Sequence, residues 1–368
     1  GLFKFYTKTN FMQKELTYIL GAGASYQSIP VVKTFNRRLL KFIQYLREKV
    51  NAKSRDDKRR FNQAVITMNS LMQEFSAHQS FDTYFKKLFH FGDQKRINLG
   101  KRLLNLYFLW EHSKVSLNYD FDNSKDDFLK QSLFDKRYDA LIAGLLKPIA
   151  EKSQPLCNVN FISWNYDINL INSIKNFFYP NLTYKNFINK IKKNQFLLEI
   201  DNVFRIINVN GSFYSSELDE SSDLTNINID QIIESKILSG YHNDFEMDED
   251  ADRIKFAWEL NDKDEESLGS NLSSVIKKSE NIVIIGYTFP LYNRFIDFGY
   301  LKQEDLINRN IVIQDPQSEV LKQNLIDIYK MNDAKIRVMA VSNCDSFYVP
   351  SSIFGISDFQ SEFNVSYI

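Results

Sequence analysis

The chain has 368 residues, 43% of them apolar, enough for one large domain with insertions or for two domains. Its 46 basic residues balance 46 acidic ones, so no global positive field would hold nucleic acid, and a small molecule or another protein is the expected partner. With only Cys157, Cys344 and four scattered histidines, a disulfide framework, a four-thiolate zinc site and a histidine-cluster metal centre are all excluded.

The start, Gly1-Leu2-Phe3-Lys4, lacks the apolar stretch of a signal peptide, and no apolar run reaches bilayer-spanning length. A cytoplasmic protein without membrane contact is expected. Six short β-branched runs follow, at Leu16–Leu20, Val159–Trp164, Phe204–Val209, Ile282–Ile285, Ile311–Gln314 and Ile336–Ala340. Most are nearly continuous in apolar residues rather than alternating, which suits strands buried on both faces of a parallel, doubly wound sheet. Between the first two, helical spacing recurs at Phe35, Leu39, Leu40 and Ile43 and again at Leu103, Leu106, Tyr107 and Trp110, predicting a helical insertion. Arg47–Arg60 reads as a solvated helix end or loop, and His242–Asp252 as an acidic surface excursion without the pattern of a calcium loop. Ser80 caps a predicted helix with Asp82 in its first turn. The helix after Phe177 is expected to pack its aromatic face and solvate its lysines, and the aromatic stretch from Ser342 is a candidate packing or subunit-contact surface. The division that results is a discontinuous core over 1–35 and 155–345, a helical insertion over 36–154 and a C-terminal segment over 346–368.

The sharpest local signal is the strand Leu16–Leu20 followed by Gly21-Ala22-Gly23-Ala24-Ser25. Such a turn lets the backbone approach a pyrophosphate, whose charge is met by amide N–H groups and a helix dipole, so a dinucleotide is the natural ligand. The third glycine of a dehydrogenase fingerprint is missing; Tyr26 stands there. Three further strand exits carry polar or glycine-containing turns: Trp164-Asn165-Tyr166-Asp167, Asn210-Gly211-Ser212 and Gly286-Tyr287-Thr288. In a parallel sheet these exits share one edge, where ligands bind. Asn165 can hydrogen-bond a ribose or a water in both directions.

These four segments, in this order, resemble the sirtuin family, specifically its divergent branch in bacterial anti-phage defence; Pro30 also falls where that family often has a proline. The resemblance spans roughly Leu16 to Asp315. It implies a Rossmann-like α/β fold, a parallel sheet with helices on both faces and a large helical insertion, and hydrolysis of NAD to nicotinamide and ADP-ribose. It further implies NAD contacts from Gly21, Ala22, Gly23, Ala24, Ser25, Pro30, Asp167, Gly211, Ser212, Gly286, Tyr287, Thr288 and Asp315, with Asn165 and the residue at 210 at the reacting end. An oligomer or a separate activating subunit is expected, and direct nucleic-acid binding and a metal are not.

Two departures stand out. The zinc ribbon of protein deacylases is absent, and the family's catalytic histidine is replaced by Asn210, whose amide cannot accept a proton as an imidazole does. Three explanations stand: a size-preserving substitution that abolishes turnover, a different base, or a relative that only binds NAD or ADP-ribose.

Overall fold

A computed structural model describes residues 15–51, 54–78, 80–119, 132–149, 152–193, 197–200, 203–211, 228–240, 254–331, 335–354 and 356. The expectations for Ser212, for the acidic stretch His242–Asp252 and for the C-terminal aromatics Phe359 and Phe363 concern residues outside this set. The strands are β1 (Glu15–Leu20), a separate hairpin of β2 (Leu146–Ile149) and β3 (Lys152–Pro155), then β4 (Asn158–Ser163), β5 (Lys192–Lys193), β6 (Leu197–Ile200), β7 (Phe204–Asn208), β8 (Ser279–Ile285), β9 (Asn310–Gln314) and β10 (Arg337–Val341). Helices α1 (Val32–Asn51), α2 (Arg55–Ser76), α3 (Phe81–His90), α4 (Gln94–Glu111), α5 (Lys114–Leu117) and α6 (Lys136–Gly144) separate β1 from the hairpin. After β4 come α7 (Asn169–Phe178) and α8 (Tyr184–Lys190), after β7 come α9 (Ile229–Gly240) and α10 (Asp262–Lys278), and α11 (Arg294–Tyr300), α12 (Gln303–Leu306) and α13 (Ser318–Tyr329) follow β8 and β9.

All strands except the hairpin form one sheet in the order β10-β9-β8-β1-β4-β7-β6-β5. The six from β10 to β7 are parallel, and β6 and β5 extend the edge antiparallel. This is a Rossmann-like α/β fold. From β1 the chain steps to β4 and β7 on one side, then returns to β8 and runs outward to β9 and β10, so the topological switch lies between β1 and β8. All six strands expected from the sequence are present, within a few residues of their predicted ends.

The near-continuous apolar runs have the predicted cause, since alternate residues of each strand enter different cores. Tyr18, Leu20, Phe161, Val283 and Val312 pack against α6, α7 and α8 on one face. Ile19, Ile162, Ile284, Ile311 and Ile313 pack against α10, α11 and α13 on the other. A third core belongs to the helical insertion, where α1, α2, α3 and α4 bury an aromatic cluster around Phe42, Phe85, Tyr107 and Trp110. The sequence reading drew the insertion over 36–154. Its core also takes in Ile229, Ile232, Ile233 and Ile237 of α9 with Ile254 and Phe256, whereas α6 packs on the sheet instead. Leu40, predicted on the apolar stripe of α1, is exposed.

Inside the insertion a buried ion pair joins α1 to α4. The Arg38 guanidinium donates to both oxygens of Glu111 at 2.9 and 2.8 Å, and Tyr107 Oη donates to the same carboxylate at 2.7 Å. Both charged side chains are out of solvent, so loss of one partner strands the other. Arg38→Met alone should destabilise the chain by roughly 3–5 kcal/mol, and the double variant Arg38→Met/Glu111→Leu should recover most of that. Denaturant unfolding of wild type, single and double variants checks the expectation.

Candidate nucleotide-binding site

At the switch point two loops meet backbone to backbone. Gly21 N–H donates to the Ile285 carbonyl at 3.0 Å and Gly23 N–H to that of Gly286 at 3.1 Å, while Ala24 N–H closes a short 3-10 turn onto Gly21 at 2.9 Å. A Cβ on Gly21 would lie 2.4 Å from the Gly286 oxygen, and one on Gly23 2.8 Å from the Gly286 Cα. Gly286 has φ +59°, and a Cβ there would lie 2.4 Å from the carbonyl carbon of Gly23. The sequence reading assigned these glycines to pyrophosphate approach and the loop amides to its charge. In the structure the glycines are already required by the contact between the loops, and the amides of Gly21, Gly23 and Ala24 are bonded within the protein.

Beside this junction lies a cavity of about 710 Å³, well within the size of small-molecule sites. Gly21, Ala22, Gly23, Pro30, Asn165, Asp167, Asn210, Gly286, Tyr287, Thr288 and Asp315 all line it, so the structure brings together most of the residues singled out from sequence. Ala24 and Ser25 are buried behind the loop, where Ser25 Oγ lies 3.1 Å from Tyr138 Oη and accepts from Asn165 Nδ2 at 3.4 Å. Gly211 pairs with Ile254 in an isolated bridge away from the cavity wall.

On the β4 side the wall is aromatic and acidic. Trp164 stacks on Tyr287 at 5.3 Å, and Phe35, Phe81, Phe108 and Tyr166 continue the surface. Asn210 is bound at both ends of its amide: Nδ2 donates to the Trp164 carbonyl at 3.0 Å and Oδ1 accepts from Ala257 N–H at 3.2 Å. Position 210 therefore fastens the β4 exit to the segment entering α10. Asp167 Oδ1 accepts from Asn169 N–H at 2.9 Å and Nδ2 at 2.6 Å; burial raises its pKa, and these bonds oppose the rise. Asp82, in the first turn of α3 two residues past its Ser80 cap, is 6% exposed and accepts from Tyr166 Oη at 2.7 Å and Tyr292 Oη at 3.4 Å. Burial pushes its carboxyl up to about 6, against the hydroxyl bonds that hold it down.

On the β9 side the lining is polar. Gln314 is fixed by donating to the carbonyls of Asn343 and Ser346 at 2.7 and 2.6 Å and accepting from Tyr348 N–H at 2.9 Å. Asp315 accepts from Gln317 N–H at 2.8 Å as α13 begins. Arg137 lies between the rings of Tyr26 and Phe347, donates to the Ala24 carbonyl at 2.9 Å and is paired in fork fashion with Asp135. Part of the C-terminal aromatic segment thus packs on the core, with Phe347 buried against Tyr138.

Sequence reasoning did not place Asp82, Tyr292, Arg137, Gln314 or Cys344 at the site. Asp82 was legible only as a helix-start residue, and nothing in the sequence links α3 to the strand exits. Beneath the β8 exit, Asp297 is completely buried and accepts from Tyr287, Tyr300 and Tyr329, with burial raising its pKa to about 7. It fixes the Tyr287 ring on which Trp164 stacks. Compared with known proteins, the chain matches no family model and no curated protein sequence.

The loop junction yields a paired expectation. Gly286→Ala should destabilise the chain by roughly 3 kcal/mol, through strain and displacement of the opposing loop. Gly269→Ala, in α10 with nothing within 4 Å of the added carbon, should be neutral or stabilising by up to about 1 kcal/mol. Denaturant midpoints of the two variants test the contrast.

Proposed function

We propose that this chain is a sirtuin-like NAD glycohydrolase, a subunit of a bacterial anti-phage system, that binds NAD across the crevice at the switch point and cleaves nicotinamide from ribose. The observation that carries the reading is the single cavity shared by the glycine junction, an acidic aromatic wall on one side and a polar wall on the other. A dinucleotide has matching parts. The oxidised nicotinamide ring is cationic, and carboxyl groups with flat aromatic faces suit a cation. The adenosine end is left to Asp315 and Gln317, whose neutral and acidic acceptors suit ribose hydroxyls and an exocyclic amine. Between them the diphosphate lies towards Pro30, Val31 and Val32, where the 20-residue helix α1 begins and its dipole favours negative charge. Asn165, steadied by Ser25, orients the ribose or the attacking water. An enzyme that destroys an essential cofactor needs an inactive resting state, so self-association or a separate activating protein is part of the proposal.

A second reading, a subunit that binds NAD or ADP-ribose without turnover, is favoured by one observation. Asn210 has both ends of its amide committed to backbone partners. Titration calorimetry with NAD and with ADP-ribose, paired with chromatography of released nicotinamide, separates the readings. Saturable binding with nicotinamide release supports the hydrolase, binding alone supports the sensor, and absence of binding to both nucleotides overturns both. Thr288→Glu, at an exposed position of the cavity lining, should weaken ADP-ribose at least tenfold by adding a negative charge to the cavity that takes an anionic ligand, with little change in melting temperature.

A further inference from the structure

The strand exits supply amides and loop backbone to the β4 side of the cavity, but the reaction proposed above must also dispose of a proton. Asn165 and Asn210 cannot take it, and Asn210 has both ends of its amide occupied. Among the described residues three carboxyl groups line the cavity. Asp315 lies beyond the switch point on the β9 side. Asp167 receives two hydrogen bonds from Asn169 on one oxygen, and they stabilise its charge. Asp82 is more than nine-tenths buried and lines the cavity with Phe81, Phe108 and Tyr166; one oxygen accepts from Tyr166 Oη and the other from Tyr292 Oη, and its own backbone N–H is a further partner. Those two tyrosines come from the exits of β4 and β8, so the carboxyl is held where the two halves of the sheet meet the insertion. Tyr166 is the neighbour of Asn165, which puts Asp82 one hydrogen bond from the segment that orients the ribose.

Resting on the reading of this cavity as an NAD-hydrolysing site, we propose that Asp82, carried by the helical insertion rather than by the sheet, is the proton-accepting group of the reaction. Water attacks the anomeric carbon of the nicotinamide-bearing ribose and forms the new C–O bond. The C–N bond breaks with its electron pair remaining on the nicotinamide nitrogen, which becomes neutral. The proton lost by water passes to the Asp82 carboxylate and from there to solvent. The products are nicotinamide, ADP-ribose and one proton, and no other reactant is consumed.

The electrostatic surroundings fit this role. The groups that act on Asp82 are the hydroxyls of Tyr166 and Tyr292 and its own backbone N–H; Asp167 lines the same cavity, and Glu259, paired with Lys101 at 2.7 Å, acts on Tyr166 instead. Desolvation is the largest influence on the carboxyl and lifts it to about 6, so it is mostly ionised near neutrality yet basic enough to accept a proton. The active form is the ionised one, so activity should fall as pH drops through about 6.

The test compares wild type, Asp82→Asn and Asp82→Glu. Nicotinamide release by the activated, self-associated protein is followed from pH 5 to 9, ADP-ribose affinity is measured by calorimetry, and melting temperatures establish that each variant is folded. For wild type, kcat/KM should rise to a plateau above about pH 6. Asp82→Asn should lower the plateau by roughly 10²–10⁴-fold and remove the acidic limb, with ADP-ribose affinity changed less than about threefold. Asp82→Glu should keep the limb at reduced rate. The proposal is overturned if Asp82→Asn retains the limb or more than a tenth of the rate, if its rate and affinity fall in parallel, or if wild type binds ADP-ribose but releases no nicotinamide at any pH. Failure of wild type to bind either NAD or ADP-ribose instead removes the functional reading on which the proposal rests.

Discussion

The architecture turns on a contact made without side chains. Where the sheet reverses direction, the loops after β1 and β8 touch through Gly21, Gly23 and Gly286, at distances that no Cβ would tolerate. The exits of the parallel strands share one edge by topology, and because these two loops close on one another the crevice beside them has fixed walls. The ring pair Trp164–Tyr287 stands directly on this junction, and Asp297 with its three tyrosines holds it from below. Rigidity at the bottom of the cavity therefore comes from backbone geometry and a buried polar knot, and the aromatic rings are positioned by them.

The site is composite. The sheet contributes loops, amides and Asp167, while the insertion contributes Phe35, Phe81, Phe108 and Asp82. Their meeting is specified by hydrogen bonds from Tyr166 and Tyr292 to a buried carboxyl that has no cationic partner among the described residues. Groups of this kind concentrate at functional sites, because their desolvation opposes stability and is retained for chemistry.

Much of the scaffold was readable in the chain itself. Strands such as Ile282–Ile285 are buried on both faces, so their apolar runs are unbroken and stand out, and the glycine turns mark where they end. The edge strands β5 and β6 escaped because two short, antiparallel pieces leave no continuous apolar run. The candidate site was half legible. Strand exits such as Asn165 and Thr288 follow from topology, since any parallel sheet gathers them at one edge. Asp82 and Arg137 reach the cavity through tertiary packing of helices far apart in sequence, and no local pattern encodes that. The glycines illustrate a third case, in which the right residues were singled out but the physical demand on them is loop closeness before ligand approach.

The helical insertion is stitched to the sheet by two separate passages of the chain. One enters through α1 after the glycine turn, and the other returns as α9 and the Ile254–Phe256 stretch, both contributing to the same aromatic core. A lid hung on a single connection can swing like a door. An insertion entered by two separate passages, with Asn210 fastening the β4 exit to Ala257 beyond the second, has no single hinge about which to swing. The insertion therefore keeps its seat on the aromatic wall, where the carboxyl of α3 meets the two tyrosines.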